Sequence, residues 1–412
     1  MKFKSLLIIP LLVASLQAAS VSDLTFTLIN GDTEYSVSDC LTSASGSLDI
    51  PSSYNGLPVT RIGDSAFSYC SSLTSINIPD SVTSIGDSAF SSCSSLASIT
   101  IPDGVTSIGN KAFEDCSSLQ GMTIPDSVTS IGESAFSRSG LLSVRIPDGV
   151  TLVEDRAFHD CPNLYEIYIS ENVTSIGEHA FSDCNRLRVV VFLGDNLTSI
   201  GNYAFSSCTS LSDFYDSGLA SITIPDSVTS IGDIAFTSCS SLVSITIPNG
   251  VTSIGDAAFA LCSNLISVTI GDSVSLIGMT TFFGCSSLVN ITIPDSVTSI
   301  GISAFQDCSS LANITIPNSV TLIEGQAFYK CSSLANITIP DSVTYIGDYA
   351  FLATGLSSVT FEGDAPTLGL DVFAVSDSVT FYYDSNNSGW SGSLNGTPIA
   401  VTNTLTFELN DV

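Results

Sequence analysis

Cysteine is the residue with the most chemistry to offer in this chain of 412 residues, which has 12 of them. Eleven stand three residues after a phenylalanine: Cys70, Cys93, Cys116, Cys161, Cys184, Cys208, Cys239, Cys262, Cys285, Cys308 and Cys331; Cys40 stands apart. Such residues could form disulfides or bind zinc. The two histidines, His159 and His179, are candidate acid–base groups, and the many serines candidate nucleophiles. Recurring acidic residues, such as Asp64, Asp87, Asp233, Asp256 and Asp348, could hold calcium. Matches to Asn-x-Ser/Thr begin at Asn172, Asn196, Asn290, Asn313, Asn336, Asn386 and Asn395, each a formal glycan acceptor.

What positions these groups is a repeat. Phenylalanines recur from Phe67 through Phe90 and Phe113 to Phe373, mostly 23 residues apart, with one long step of 31 from Phe205 to Phe236. Self-similarity at this period means a solenoid, in which each turn buries its apolar face only against its neighbours. In Leu96-Ala-Ser-Ile-Thr-Ile101 the alternation turns Leu96, Ile99 and Ile101 inward and Ser98 and Thr100 outward. Pro102-Asp103 ends the strand, Val105 and Ile108 point inward again, and Gly109 is read as permitting a sharp corner. Ala112-Phe113 then fill the core before a short helical turn leads back to the next strand.

The unit Leu-x-x-Ile-x-Ile-Pro-x-x-Val-x-x-Ile-Gly-x-x-Ala-Phe-x-x-Cys, carried by residues 61–361, resembles the BspA-type leucine-rich repeat of secreted and surface proteins. The expected fold is mainly β with short helical turns: a leucine-rich-repeat solenoid of roughly 13–14 units of about 23 residues, capped at both ends. The resemblance implies adhesion or protein binding and brings no shared catalytic residues with it. Residues 1–19 read as a signal peptide, from Lys2 and Lys4 through an apolar stretch to Ala18-Ala19. Residues 20–60 read as an N-terminal cap, and 362–412 as a partial repeat and C-terminal cap in which Trp390, the only tryptophan, seals the last turn.

Stacking constrains the chemistry. Equivalent residues on neighbouring turns have parallel Cα–Cβ bonds and Cβ atoms about 4.8 Å apart, beyond the usual disulfide range. The repeat cysteines are therefore expected to be buried thiols acting as small hydrophobes. A linear ladder without histidine does not converge on zinc, so no metal or cofactor is expected. Carboxylates about 5 Å apart would repel by ~0.8 kcal/mol per pair even in water, yet no loop matches a calcium motif. The three stacked sequons at Asn290, Asn313 and Asn336 read as a polar ladder. The histidines occupy non-equivalent positions and the serines have no partnered base, so the chain is not expected to be an enzyme.

Recognition is expected where the outward residues depart from small Ala, Ser and Thr. Three consecutive units do so with Arg145, then Tyr165, Glu166 and Tyr168, then Arg188 and Val191; the long unit adds Phe214 and Tyr215. Arginine and tyrosine are the types enriched at interface hot spots. Five basic residues of this stretch (Arg138, Arg145, Arg156, Arg186, Arg188) stand out in a chain of net charge −30, which disfavours nucleic acid and anionic membranes as partners. The expected function is that of a secreted or cell-surface binding or adhesion protein, with an extracellular protein or polysaccharide as partner and no membrane insertion. The alternative is an ice- or polymer-binding protein that uses the regular Thr and Ser ladder.

Overall fold

A computed structural model describes residues 18–209, 221–374, 379–384 and 387–390, and the backbone of the short strands Ser393–Leu394 and Thr397–Pro398. The chain is a β-solenoid of about 15 turns of roughly 23 residues. Each regular turn contributes one strand to each of two parallel ladders. The long ladder carries the Ile-x-Ile strands, for example Ser221–Thr223, Ser244–Ile247, Ser267–Ile270 and Asn290–Thr292, in register without shifts. The short ladder carries two-residue Ser-Ile strands such as Ser84–Ile85 and Ser107–Ile108.

Between the ladders runs an unbroken column of phenylalanine rings from Phe67 to Phe373. Neighbouring rings stack with centroids 5.1–5.7 Å apart and planes within 15°. The 31-residue unit does not interrupt it: Phe205 and Phe236 stack at 5.4 Å, and Ser199-Ile200 pair with Ser230-Ile231.

The short helical turn of the corner is a chain of i→i+3 bonds (Ala66 to Gly63, Ser68 to Ser65, Cys70 to Phe67) that never grows into a helix. Its alternate N–H groups, on Ser65, Phe67 and Tyr69, instead donate to the next turn at 2.7–2.8 Å. This alternation puts Ser65 (φ 56°) and Tyr69 (φ 62°) in the left-handed region, and the equivalents of both recur along the array. Hardly any of these positions is glycine, so the turn-to-turn hydrogen bonds stabilise a conformation that side chains disfavour.

The consensus glycine has a different purpose from the sharp corner expected at Gly109, whose φ is not positive. A Cβ there would lie 2.5 Å from the Gly86 carbonyl carbon and 2.6 Å from the Asp87 nitrogen. Glycine is required because neighbouring turns touch backbone to backbone. The 22-residue units show the same logic more severely. Shortening the corner presses Gly140 and Gly355 onto the carbonyls of Ser117 and Ser332, where an added Cβ would overlap the oxygen.

The acidic column is also reassigned. Asp64, Asp87, Asp155, Asp233, Asp256 and Asp348 each accept a hydrogen bond from the backbone N–H of the next turn at 2.6–3.1 Å. Asn110 and Asn202 do the same with their amide oxygens at 2.8 Å. The position selects an acceptor, and charge is incidental to it. Among the described residues no group of three or more His, Cys, Asp or Glu is arranged to hold a metal ion.

All twelve cysteines are buried. From Cys93 onward each repeat thiol also donates to the carbonyl of the phenylalanine one turn back, at 3.1–3.3 Å. That bond goes beyond packing. Where the cysteine is missing, Ser139 stands at its position in one short unit and Thr354 in the other, and Thr354 donates instead within its own turn, to the Phe351 carbonyl at 2.8 Å. At the far end Trp390 packs on Phe361 (4.7 Å) and Tyr383 (4.9 Å), with its indole N–H donating to the Gly363 carbonyl.

Candidate ligand-binding face

Parallel, unshifted register turns sequence neighbours 23 residues apart into side-by-side columns. In Ser143–Arg145, Glu166–Ile169 and Val189–Phe192, Arg145 lies beside Tyr168 and Tyr168 beside Val191. Ser143, Glu166 and Val189 make a second outward column. Leu142, Tyr165 and Arg188 make a third, tied by backbone bonds from Tyr165 to Leu142 and from Arg188 to Tyr165. The six described candidates therefore form one contiguous patch. Phe214 and Tyr215 lie outside the described residues.

The patch is internally organised. The Arg188 guanidinium carbon sits 5.5 Å from the centre of the Tyr165 ring, a cation–π arrangement that keeps the ring exposed and oriented. The Tyr168 hydroxyl donates to Glu166 at 3.2 Å. The Glu166 carboxylate pushes the phenol's pKa up, first through its charge and then through this bond, so Tyr168 stays a neutral donor. Arg145 is half-exposed and bonded to Asp148 at 3.2 Å, with Asp126 at 4.0 Å. Exposed pairs of this kind contribute little to stability, which leaves the guanidinium free to exchange partners.

Three flanking residues escaped the sequence reading. Leu142 and Leu193 are exposed and apolar, and Val189 is half-buried beside Glu166. Only Val189 carried a signal, in a column that regular turns fill with Ser or Asn; the column of Leu142 also holds Val243, Ile266 and Val289, and Leu193 stands where regular turns have a buried proline. The patch also borders a groove of about 640 Å³ lined by Ser98, Thr100, Gly121, Met122, Thr123 and Ser143. It opens where Gly121 and Met122 replace the serine and isoleucine of the consensus, and where the ladder is reduced to a single Ser98–Gly121 bridge.

The other basic residues point elsewhere. Arg138 clamps Asp115 (2.6 Å) and Glu114 (2.8 Å) on the corner face, and Arg156 lies 3.8 Å from both Glu133 and Glu178. Arg186 donates weakly to Asn163. Beside them the two histidines, although at non-equivalent positions of their units, come together. His159 follows one phenylalanine and His179 precedes the next, yet both reach the Ser182 hydroxyl through Nδ1, at 2.8 and 3.1 Å. His179 stacks on Tyr203 at 4.4 Å. Ser182 is only 1% exposed, so its hydroxyl cannot meet a substrate as a nucleophile.

A capped parallel solenoid with a continuous aromatic spine, a repetitive exterior and one decorated face defines the leucine-rich-repeat class. The model of the BspA type leucine rich repeat region matches residues 43–164, 88–212, 209–288 and 252–380, and the chain belongs to that family. A leucine-rich repeat protein from Bacteroides ovatus is 30% identical, with a TM-score of 0.67 over 88% of this chain and 98% of that one. A leucine rich cell surface protein from Faecalibacterium prausnitzii is 30% identical over 84% and 94% of the two chains, with a TM-score of 0.49. A leucine-rich repeat protein from Eubacterium ventriosum is 23% identical over 81% and 93%, with a TM-score of 0.50. No curated protein matches the chain. Proteins of this family and fold are generally non-catalytic binding proteins. Among the described residues no helix is long and apolar enough to cross a membrane.

Proposed function

We propose that the chain is a secreted or cell-surface binding and adhesion protein that recognises an extracellular protein or polysaccharide through the outward face of turns 121–193. The observation that carries this reading is the contiguity of Arg145, Tyr165, Glu166, Tyr168, Arg188 and Val191 in outward columns where the regular turns carry uncharged, non-aromatic residues such as Ser, Thr, Asn, Ala, Val and Ile. A flat Ser/Thr exterior offers few anchors. Rigid aromatic rings and an arginine beside a groove offer several. The apolar stretch at the N-terminus and the family's character support export.

The test is affinity capture of matrix proteins and polysaccharides, followed by titration of the captured ligand with Arg145→Ala/Tyr168→Ala. The expected result is at least a tenfold loss of affinity with unchanged thermal unfolding, equivalent to about 1.4 kcal/mol. Unchanged affinity removes the patch from the reading. The Thr alternative rests on Thr223, Thr246, Thr269 and Thr292, which are exposed and in register. Thermal hysteresis that is lost on replacing these threonines would favour it instead.

A further inference from the structure

Ten of the twelve cysteines are committed to short bonds with a phenylalanine carbonyl. Cys40 and Cys70 are not. Cys70 Sγ lies 3.8 Å from the carbonyl oxygens of both Cys40 and Leu41, and Cys40 Sγ lies 3.7 Å from that of Leu41. The two sulfurs thus converge on one oxygen atom, the Leu41 carbonyl.

Their relation also differs from that of successive repeat cysteines. Ala44 N–H donates to the Leu41 carbonyl at 2.9 Å, as Cys70 N–H donates to that of Phe67 at 3.0 Å. Val37 pairs with Ile62 in the short ladder, so Cys40 lies three residues past that rung and Cys70 eight past it, and the two cysteines hold non-equivalent positions on their turns. The argument against rung-to-rung disulfides rests on parallel Cα–Cβ bonds at equivalent positions. A link between non-equivalent positions on successive turns escapes it.

We propose that Cys40 and Cys70 form a disulfide that staples the N-terminal segment to the first regular turn. The oxidant required is a low-molecular-weight disulfide such as oxidised glutathione. One cysteine thiolate attacks it, giving a mixed disulfide and releasing one glutathione thiolate. The second cysteine thiolate then displaces the other glutathione. Two cysteine thiols are oxidised to one Sγ–Sγ bond, one external disulfide is reduced to two thiols, and the two cysteine protons pass to the leaving thiolates. Cys70 is the better first nucleophile, because the neighbouring Cys40 thiol lowers its pKa against the opposing effect of burial. The staple encloses the strands Ser45–Asp49, Ser53–Tyr54 and Leu57–Ile62. These form the start of the array, where a solenoid has a neighbour on one side only and opens most easily.

The test uses the full chain, unfolded in urea and refolded through a glutathione redox buffer, then denatured and alkylated. Wild type is expected to show ten reactive thiols and, in a non-reducing digest, one linked peptide pair containing Cys40 and Cys70. Cys40→Ser is expected to show eleven thiols and no linked pair. Reduction should lower the unfolding temperature of oxidised wild type and leave that of Cys40→Ser unchanged. Twelve reactive thiols in wild type overturn the proposal, as does a linked pair elsewhere, for example Cys161 with Cys184.

Discussion

In Ser143–Arg145, Glu166–Ile169 and Val189–Phe192 the inward side chains are Val144, Ile167, Ile169, Val190 and Phe192. In Ser221–Thr223, Ser244–Ile247, Ser267–Ile270 and Asn290–Thr292 they are Ile222, Ile245, Ile247, Val268, Ile270 and Ile291. Behind both sets the phenylalanine rings stack at the same spacing. Outside, one region presents Arg145, Tyr168 and Val191 in the column where the other presents Thr223, Thr246, Thr269 and Thr292. A buried position in a solenoid is fixed from above and below, so a change there is felt in two turns. An outward position is limited by little beyond solubility, and differences there are where recognition can be written.

The strongest way to break this comparison is through the shared interior. Phe181→Ala and Phe259→Ala each remove a ring that is fully buried between two others, and each should cost about 3–5 kcal/mol. Urea unfolding should give the same loss for both within about 1 kcal/mol. A clearly smaller loss at Phe181 would mean that the decorated turns already have a looser interior.

A smaller effect sharpens the role of the acidic column, which both regions share. Asp155 accepts from Glu178 N–H at 2.6 Å, and Asp256 from Met279 N–H at 2.9 Å. Replacing either by Asn should leave the unfolding midpoint nearly unchanged, since Asn110 and Asn202 already make this bond. Replacing either by Ala should cost about 1 kcal/mol. If Asn costs as much as Ala, the column selects charge, and the assignment as a neutral acceptor ladder is wrong.

The sequence showed the interior almost completely, because a 23-residue period in Phe, Leu, Ile and Val maps directly onto stacked columns. It showed the adjacency of the patch residues for the same reason: once Arg145 and Tyr168 are placed in one outward column, their pairing follows from register. What it hid were bonds between non-equivalent positions on neighbouring turns. Gly109 looked like a turn residue because glycine usually is one; that a neighbouring backbone sits 2.5 Å from its absent Cβ can be read only from the spacing of turns. The thiol-to-phenylalanine bonds and the convergence of Cys40 on Cys70 were hidden in the same way, since sequence alignment compares like with like. The left-handed pairs at Ser65 and Tyr69 carry no glycine signal at all.

The finest distinction between the two regions concerns pH. In the column two residues before phenylalanine, the decorated turns carry Arg156, His179 and Tyr203, whereas the regular ones carry Ile234, Ala257 and Thr280. His179 faces Arg156, Glu178, His159, Asp183 and the Tyr203 ring. Burial, then the charge of Arg156, hold its pKa below the ordinary value, although Glu178 and Asp183 pull the other way. A depressed imidazole pKa means that the unfolded chain binds the proton more readily. Stability from this group is therefore full above about pH 6.5, the ordinary histidine pKa. It falls as the pH drops through that value, and levels off below the folded pKa. Hydrogen-exchange protection should accordingly decline between pH 7.5 and 5 in turns 156–205 more than in turns 234–282, and His179→Gln should narrow that difference. Equal declines in both regions would assign the acid sensitivity to the carboxylates common to all turns, and the histidine pair would then be a packing feature without a titration of its own.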